Sequence, residues 1–330
     1  MSEMVSVSAA AERLRGAGRI RILTHQYPDG DTLGSGFALC RALQKLGKAA
    51  RVECPDEIPE KYGYLYEGLP SPDFEPDLIC AVDVADAKLL GELEGVYAGR
   101  IGLCIDHHGS NTGYAGELLL RADYAATAML VREVIAALGV ELDKPTAECL
   151  YTGIATDTGC FKYSNTTAYA LRMAAEMLDC GANSEMINRT MFDVKTRARV
   201  ELERQALDSM RFFLHGRCAV MLITNAMIAQ SGAKENDMEG LAPIPRQIEG
   251  VWVGVTLREK KDGSFKVSVR TGNHADASAI CSLLGGGGHL RAAGCTLPGP
   301  AEQAVEAMVE VVHRTIGDCG GSPRPSSALR

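Results

Sequence analysis

A chain of 330 residues is more than one modest core needs and less than three ordinary domains require, so two domains are expected. With 46% hydrophobic and 23% charged residues, no apolar run long enough to cross a bilayer and no leader pattern at the N-terminus, the sequence predicts a folded cytoplasmic protein that does not enter membranes. A net charge of −8 argues against a protein that coats long duplex nucleic acid by counterion release, while a short anion could still be held by a few cations in a cleft.

Short apolar runs alternate with amphipathic stretches through the first half, the pattern of a largely parallel sheet flanked by helices. In chain order the expected elements are a strand at Arg19–Thr24, a helix at Gly34–Leu46, and strands at Leu78–Val84 and Ile101–Ile105. Helices follow at Ala125–Leu138 and Pro145–Ala155, the latter opening with proline where a first turn tolerates it. A long helix rich in Arg and Glu, from about Lys195 to Phe213, is expected to join two domains. Beyond it, strands at Cys218–Thr224, Val251–Leu257, Phe265–Arg270 and Ala292–Leu297 and helices at Ala275–Leu284 and Ala301–Arg314 form a second, smaller α/β unit. The division is therefore 1–192, a helical linker 193–214, a second domain 215–317, and a Gly/Pro/Ser-rich disordered tail 318–330.

The eleven cysteines are scattered singly, and Cys80, Cys104 and Cys218 lie inside apolar runs, so they read as buried thiols and not as a disulfide framework or a zinc site.

Chemistry gathers at the ends of the apolar runs. After the first strand come His25, Asp29, Gly30 and Asp31, where two carboxylates one residue apart are either a solvated turn or a pair bridged by cations, with Pro28 and Gly30 shaping the turn. Asp83 ends a second strand, as a ligand or as a helix N-cap. A third strand runs into Asp106, His107 and His108, one carboxylate and two imidazoles together. Asp157 stands beside Thr156 and Thr158 at the end of a helix, where a cap explains it as well as a ligand does. Together His25, Asp29, Asp31, Asp83, His107 and Asp157 offer four carboxylates and two imidazoles. That set suffices for two divalent ions if one carboxylate bridges, with Mn²⁺ preferred and Mg²⁺ an alternative. Gly34, Ser35 and Gly36 lack the third glycine of a dinucleotide fingerprint, and no phosphate-loop Gly-Lys-Ser/Thr exists.

In the second half, Gly285 to Gly288 and His289 can aim backbone N–H groups and an imidazole at an anion, against the plainer readings of a linker or turn. Arg270, ending a strand, could pair with a terminal phosphate.

The series His-x-x-x-Asp-x-Asp, a strand-end Asp, Asp-His-His and Thr-Asp-Thr-Gly resembles the DHH phosphoesterase family. The tract Gly285 to His289 followed by Ala292, Ala293 and Gly294 resembles the GGGH motif of its companion DHHA1 domain, and the likeness runs from about Arg19 to Leu297, nearest the nanoRNase branch. The resemblance implies a DHH domain carrying the metals, a DHHA1 domain holding substrate, and an active site in the cleft between them. It implies that His25, Asp29 and Asp83 hold one manganese, while Asp31, Asp83, His107 and Asp157 hold the other. Asp106 would orient His107 or a neighbouring group, His108 would face substrate as a catalytic residue, and Arg270, Gly286, Gly287, Gly288 and His289 would bind it. The implied activity is hydrolysis of short oligoribonucleotides, of 3′-phosphoadenosine 5′-phosphate, or of both, by a protein that could act as a homodimer. The rivals are a phosphodiesterase of linear or cyclic dinucleotides and a nucleic-acid-binding module without catalysis.

Overall fold

The computed structural model describes residues 2–238 and 240–317, so the expected tail 318–330 lies outside the described residues. The chain forms two compact units, one reaching to Val194 and the other starting at Lys195.

The first unit is built on six strands: β1 (Glu3–Met4), β2 (Arg19–Leu23), β3 (Ala49–Glu53), β4 (Leu78–Val82), β5 (Leu103–Asp106) and β6 (Glu117–Leu120). Their order is β1-β6-β5-β4-β2-β3, and every pairing is parallel. β4 is buried along its whole length, as a parallel strand covered on both faces must be, which is why it reads as an unbroken apolar run. The chain leaves β2 toward β3 on one side and returns to β4 on the other, so the order reverses between β2 and β4. A crevice opens at such a switch point, beyond the C-terminal ends of the strands.

The helices are α1 (Val7–Gly16), α2 (Gly30–Lys45), α3 (Leu93–Tyr97), α4 (Thr127–Ala137), α5 (Lys144–Asp157), α6 (Ala168–Asp179) and α7 (Ser184–Asn188). α2 starts at Gly30 and not at Gly34, because the Asp29 side chain caps it by accepting from the N–H groups of Asp31 and Thr32. Gly30 is therefore a first-turn residue packed against Thr156, and not the hinge of a tight turn. Fully buried Leu33, Leu39 and Leu43 fasten α2 to the core, each contributing about 1.5–3 kcal/mol. Two glycines let α2 and α5 approach to backbone contact: a Cβ at Gly34 would strike the Cys149 carbonyl, and one at Gly153 would lie 2.6 Å from Ala128 Cβ and 2.7 Å from Asp31 Oδ1.

The second unit contains α8 (Arg197–Asp208), β7 (Arg211–Phe213), β8 (Cys218–Ile223), α9 (Asn225–Ser231), β9 (Val253–Glu259), β10 (Phe265–Thr271), α10 (Ala277–Ser282), β11 (Gly287–His289), β12 (Ala292–Leu297) and α11 (Ala301–Ile316). Its sheet runs β11-β12-β10-β9-β8-β7, parallel only between β8 and β9. The expected helix Lys195–Phe213 is thus corrected: it stops at Asp208, and Arg211–Phe213 forms an edge strand on β8. Leu202 and Ala206 of α8 pack on Met221 and Ile223 of β8, which makes the helix part of this unit's core. Along β10, Phe265, Val267 and Val269 face a core shared with α10 and α11, and Lys266, Ser268 and Arg270 face the other way.

Candidate metal centre

Four chain segments converge beyond the switch point. His25 follows β2, Asp29 and Asp31 begin α2, and Asp83 follows β4. Asp106 ends β5 with His107 and His108 behind it, and Asp157 closes α5. Asp83 is 2% exposed and has a positive φ of 59°, an uncommon conformation that an aspartate tolerates better than most residues. The N-cap reading of Asp83 is excluded, because the next short helix is capped by Asp86.

The donor atoms form three overlapping groups, each within 4.8 Å: His25, Asp29 and Asp83; Asp31, His107 and Asp157; and Asp83, His107 and His108. His25 Nε2 lies 3.7 Å from both Asp29 Oδ1 and Asp83 Oδ2. His107 Nε2 lies 3.3 Å from Asp157 Oδ2, 3.7 Å from Asp83 Oδ1 and 3.9 Å from Asp31 Oδ2. Asp83 thus offers one oxygen to each side.

Both inward imidazoles are aimed from behind. His25 Nδ1 bonds the Gln26 carbonyl at 2.8 Å and His107 Nδ1 the Tyr124 carbonyl at 3.1 Å, so Nδ1 carries a proton in each ring and Nε2 is turned inward. His107 Nε2 is buried with no hydrogen-bond partner among the described residues, as suits a nitrogen that holds a cation. The donor set, oxygen-rich with imidazole, fits a divalent ion.

The electrostatics agree. Burial lifts the Asp31 carboxyl well above its usual range, and the charges of Asp83 and Asp157 lift it further. Burial also raises Asp157. Burial opposes a charge on His25, yet hydrogen bonds to Asp29 and Asp83 outweigh it and push the imidazole up to about 11. His107 rises to about 10 against its own burial, through Asp157 and the charges of Asp31 and Asp83. Without cations, protons compensate the crowded carboxylates.

Asp106 has a different task. Its Oδ1 accepts from the N–H groups of His107 (2.8 Å) and His108 (3.2 Å) and from His108 Nδ1 (2.8 Å). Its Oδ2 accepts from Asn111 Nδ2 at 2.6 Å. Burial works against its charge, but the bonds from His108 and Asn111 hold its carboxyl below the usual range. The side chain it orients is therefore His108, not that of His107. With Nδ1 engaged and its side chain 42% exposed, His108 turns its other nitrogen away from Asp106.

Supporting residues escaped the sequence reading. The N–H groups of Thr127 and Ala128, at the start of α4, bond the two Asp31 oxygens at 2.6 and 2.9 Å, Ser35 adds its hydroxyl at 3.2 Å, and Thr127 Oγ1 donates to Asp83 Oδ1 at 2.8 Å. Of these, Ser35 stands one helical turn after Asp31, and Asn111, close behind the Asp-His-His tripeptide, likewise carried a local signal.

In the second unit, the glycine tract is an edge hairpin and not a linker. Gly287–His289 pair with Ala292–Gly294, and Gly285 and Gly288 take positive φ values of 73° and 147°, the second open only to glycine. Gly286 leaves no room for a Cβ beside Cys295 and the Gly294 carbonyl. Arg270 lies on β10, opposite Ala292 of the same hairpin. None of the described helices is long and apolar enough to cross a membrane.

The sequence matches the DHH family N-terminal domain over residues 19–154 and the DHHA1 domain over residues 218–318. It is 36% identical over 312 residues to the bifunctional oligoribonuclease and PAP phosphatase NrnA of Thermus thermophilus, covering 92% of each chain. Its fold matches the crystal structure of an exopolyphosphatase-related protein from Bacteroides fragilis at a TM-score of 0.84 and 25% identity, over 93% of this chain and 95% of that one. Exonuclease RecJ bound to manganese shares the fold at a TM-score of 0.55 and 16% identity, over 94% of each chain. The carboxylate and imidazole centre at the sheet's switch point, the glycine hairpin of the second unit and these likenesses together establish that the chain belongs to the DHH family of metal-dependent phosphoesterases, in the branch that carries a DHHA1 domain.

Proposed function

We propose that this chain hydrolyses phosphoester bonds of short oligoribonucleotides and of 3′-phosphoadenosine 5′-phosphate, using two Mn²⁺ ions. The observation that carries this reading is the shared centre: Asp83 presents one oxygen toward His25 and the other toward His107, whose Nε2 is buried and unpartnered. His25, Asp29 and Asp83 would hold one ion, and Asp31, Asp83, His107 and Asp157 the other. When bound, such ions neutralise charge on the phosphate and make a water nucleophilic at neutral pH. The chain's residues do the rest. Gln26 and Tyr124 carbonyls fix the imidazoles, the start of α4 fixes Asp31, and Asp106 holds His108 so that its free nitrogen can donate to a phosphate oxygen or the leaving group. In the second unit, Arg270, Gly286, Gly287, Gly288 and His289 bind substrate phosphate. The NrnA likeness supports this substrate class, and the ten free cysteines among the described residues support a reducing, cytoplasmic setting.

The test is a labelled ladder of oligoribonucleotides of graded length, incubated with protein and Mn²⁺ beside 3′-phosphoadenosine 5′-phosphate and cyclic dinucleotides. Turnover concentrated on the shortest oligomers and the bisphosphate is expected. Turnover of cyclic dinucleotides alone would favour the phosphodiesterase reading, and metal-independent binding without turnover would overturn both. A sizing column run on the same protein tests the homodimer.

A further inference from the structure

The register of the second sheet lines up one row across four strands. Gly254 of β9 faces Arg270 of β10, Arg270 faces Ala292 of β12, and Ala292 faces His289 of β11. Directly paired residues point their side chains to the same face, with Cβ positions about 4.5–5.5 Å apart. Gly254 has no side chain because Arg246 occupies that space. A Cβ there would come 2.5 Å from Arg246 N and 2.8 Å from Arg246 Cβ. The Arg246 guanidinium extends along the same face onto Gly272, two residues beyond Arg270, where a Cβ would lie 2.5 Å from Nη2 and 3.1 Å from Cζ. The loop carrying Gly272 is itself pinned, since Arg291 donates to the carbonyls of Gly272 and Ala275 and to Asn273 Oδ1. Two glycines and a tethered loop are thus arranged around one arginine.

Among the described residues that arginine meets no side-chain acceptor. Its Nε is buried without a hydrogen-bond partner, and neither Arg246 nor Arg270 forms an ion pair with a carboxylate among the described residues. Arg270 spends one N–H on the carbonyl of its own neighbour, Val269. In a chain of net charge −8, Arg246 and Arg270 share one face of this sheet with no carboxylate paired to either among the described residues, and an anion taken by both guanidiniums would balance their charge. Two guanidiniums match a dianion better than a monoanion, which separates a terminal phosphomonoester from the singly charged diester of an internal linkage.

We infer that Arg246 joins Arg270 in a two-arginine subsite for a terminal phosphomonoester, so that the enzyme selects substrates with a phosphorylated end. The inference deepens the proposed function and rests on it for the substrate class. The test compares the dinucleotides pApA and ApA as substrates of the Mn²⁺-loaded full chain, in wild type, Arg246→Gln and Arg246→Lys. The wild type should prefer pApA, and Arg246→Gln should reduce that preference in kcat/KM by about 10- to 100-fold through KM, the range for one lost charge-assisted contact. Arg246→Lys, which keeps the charge but not the fork, should fall between them. Equal losses on both substrates, or an unchanged preference, would overturn the subsite. Should wild type cleave neither dinucleotide, the proposed function fails, and calorimetric binding of adenosine 5′-monophosphate against adenosine decides this inference alone. Selective loss of monophosphate binding in Arg246→Gln upholds it, and equal binding by both proteins sinks it.

Discussion

Replacing Asp106 with asparagine changes one atom and sets two requirements of the centre against each other. The carboxylate serves three donors with Oδ1 and the Asn111 amide with Oδ2. Asparagine keeps one acceptor. With its carbonyl in place of Oδ1, its own NH₂ meets the Asn111 NH₂ where a 2.6 Å hydrogen bond stood. The buried donor pair left unsatisfied costs about 1–3 kcal/mol per group, and the bond to His108 loses its charge, which roughly halves its strength. The two unsatisfied groups alone, about 2–6 kcal/mol together, should lower the melting temperature of the first unit by about 4–24 °C, at about 2–4 °C per kcal/mol for a domain of this size. Turnover should fall further than stability suggests, by about 10²–10⁴ fold, because a neutral amide no longer supports a proton on His108 as the Asp106 carboxylate does. Manganese content should stay at the wild-type level, since neither Asp106 nor His108 is among the six residues proposed to hold the ions. Calorimetry, steady-state kinetics on a dinucleotide and elemental analysis read the three effects separately. A variant that melts lower but turns over at the wild-type rate would show that Asp106 only supports the loop, and the assignment of His108 as its client would be abandoned.

Asp83→Ala should abolish turnover and leave less than one manganese per chain by elemental analysis, because it removes an oxygen from both sides of the centre; near-normal turnover would refute the bridging role. Gly153→Ala should destabilise the first unit by about 1–3 kcal/mol and weaken metal binding, since its methyl would press on Ala128 Cβ and Asp31 Oδ1, and an unchanged melting temperature would contradict that close approach. In the metal-free protein His25 and His107, raised to about 11 and 10, carry protons at neutral pH, whereas a metal needs both imidazoles neutral. Manganese binding should therefore release protons and tighten as pH rises toward those values. Titration calorimetry in buffers of different ionisation enthalpy reads the release, and an absence of buffer dependence would refute it.

The ends of the buried strands were legible because an unbroken apolar run that stops at a charged residue marks both the strand and its C-terminal edge, as at Val82–Asp83 and Ile105–Asp106. Less legible was β3, whose sequence Ala-Ala-Arg-Val-Glu lacks a clear period, and β7, whose Arg-Phe-Phe reads as a continuation of the helix before it. The turn reading of Pro28–Asp31 missed the start of α2, since Asp29 and Gly30 suit a turn and a helix N-terminus equally. Support from Thr127 and Ala128 could not be read at all. It depends on α4 meeting α2 across long stretches of chain, and backbone N–H groups carry no sequence signature.

The donors of the centre are far apart along the chain, from His25 to Asp157, and belong to four separate segments. No local fragment can assemble them, so an ion can grip this set only after the strands have found their order and α5 has docked on α2. Free metal in the cell then acts as a ballast on the folded state, adding stability in proportion to the logarithm of its concentration once that exceeds the dissociation constant. Scarcity of the ion would idle the enzyme and also shorten the lifetime of the protein that carries it.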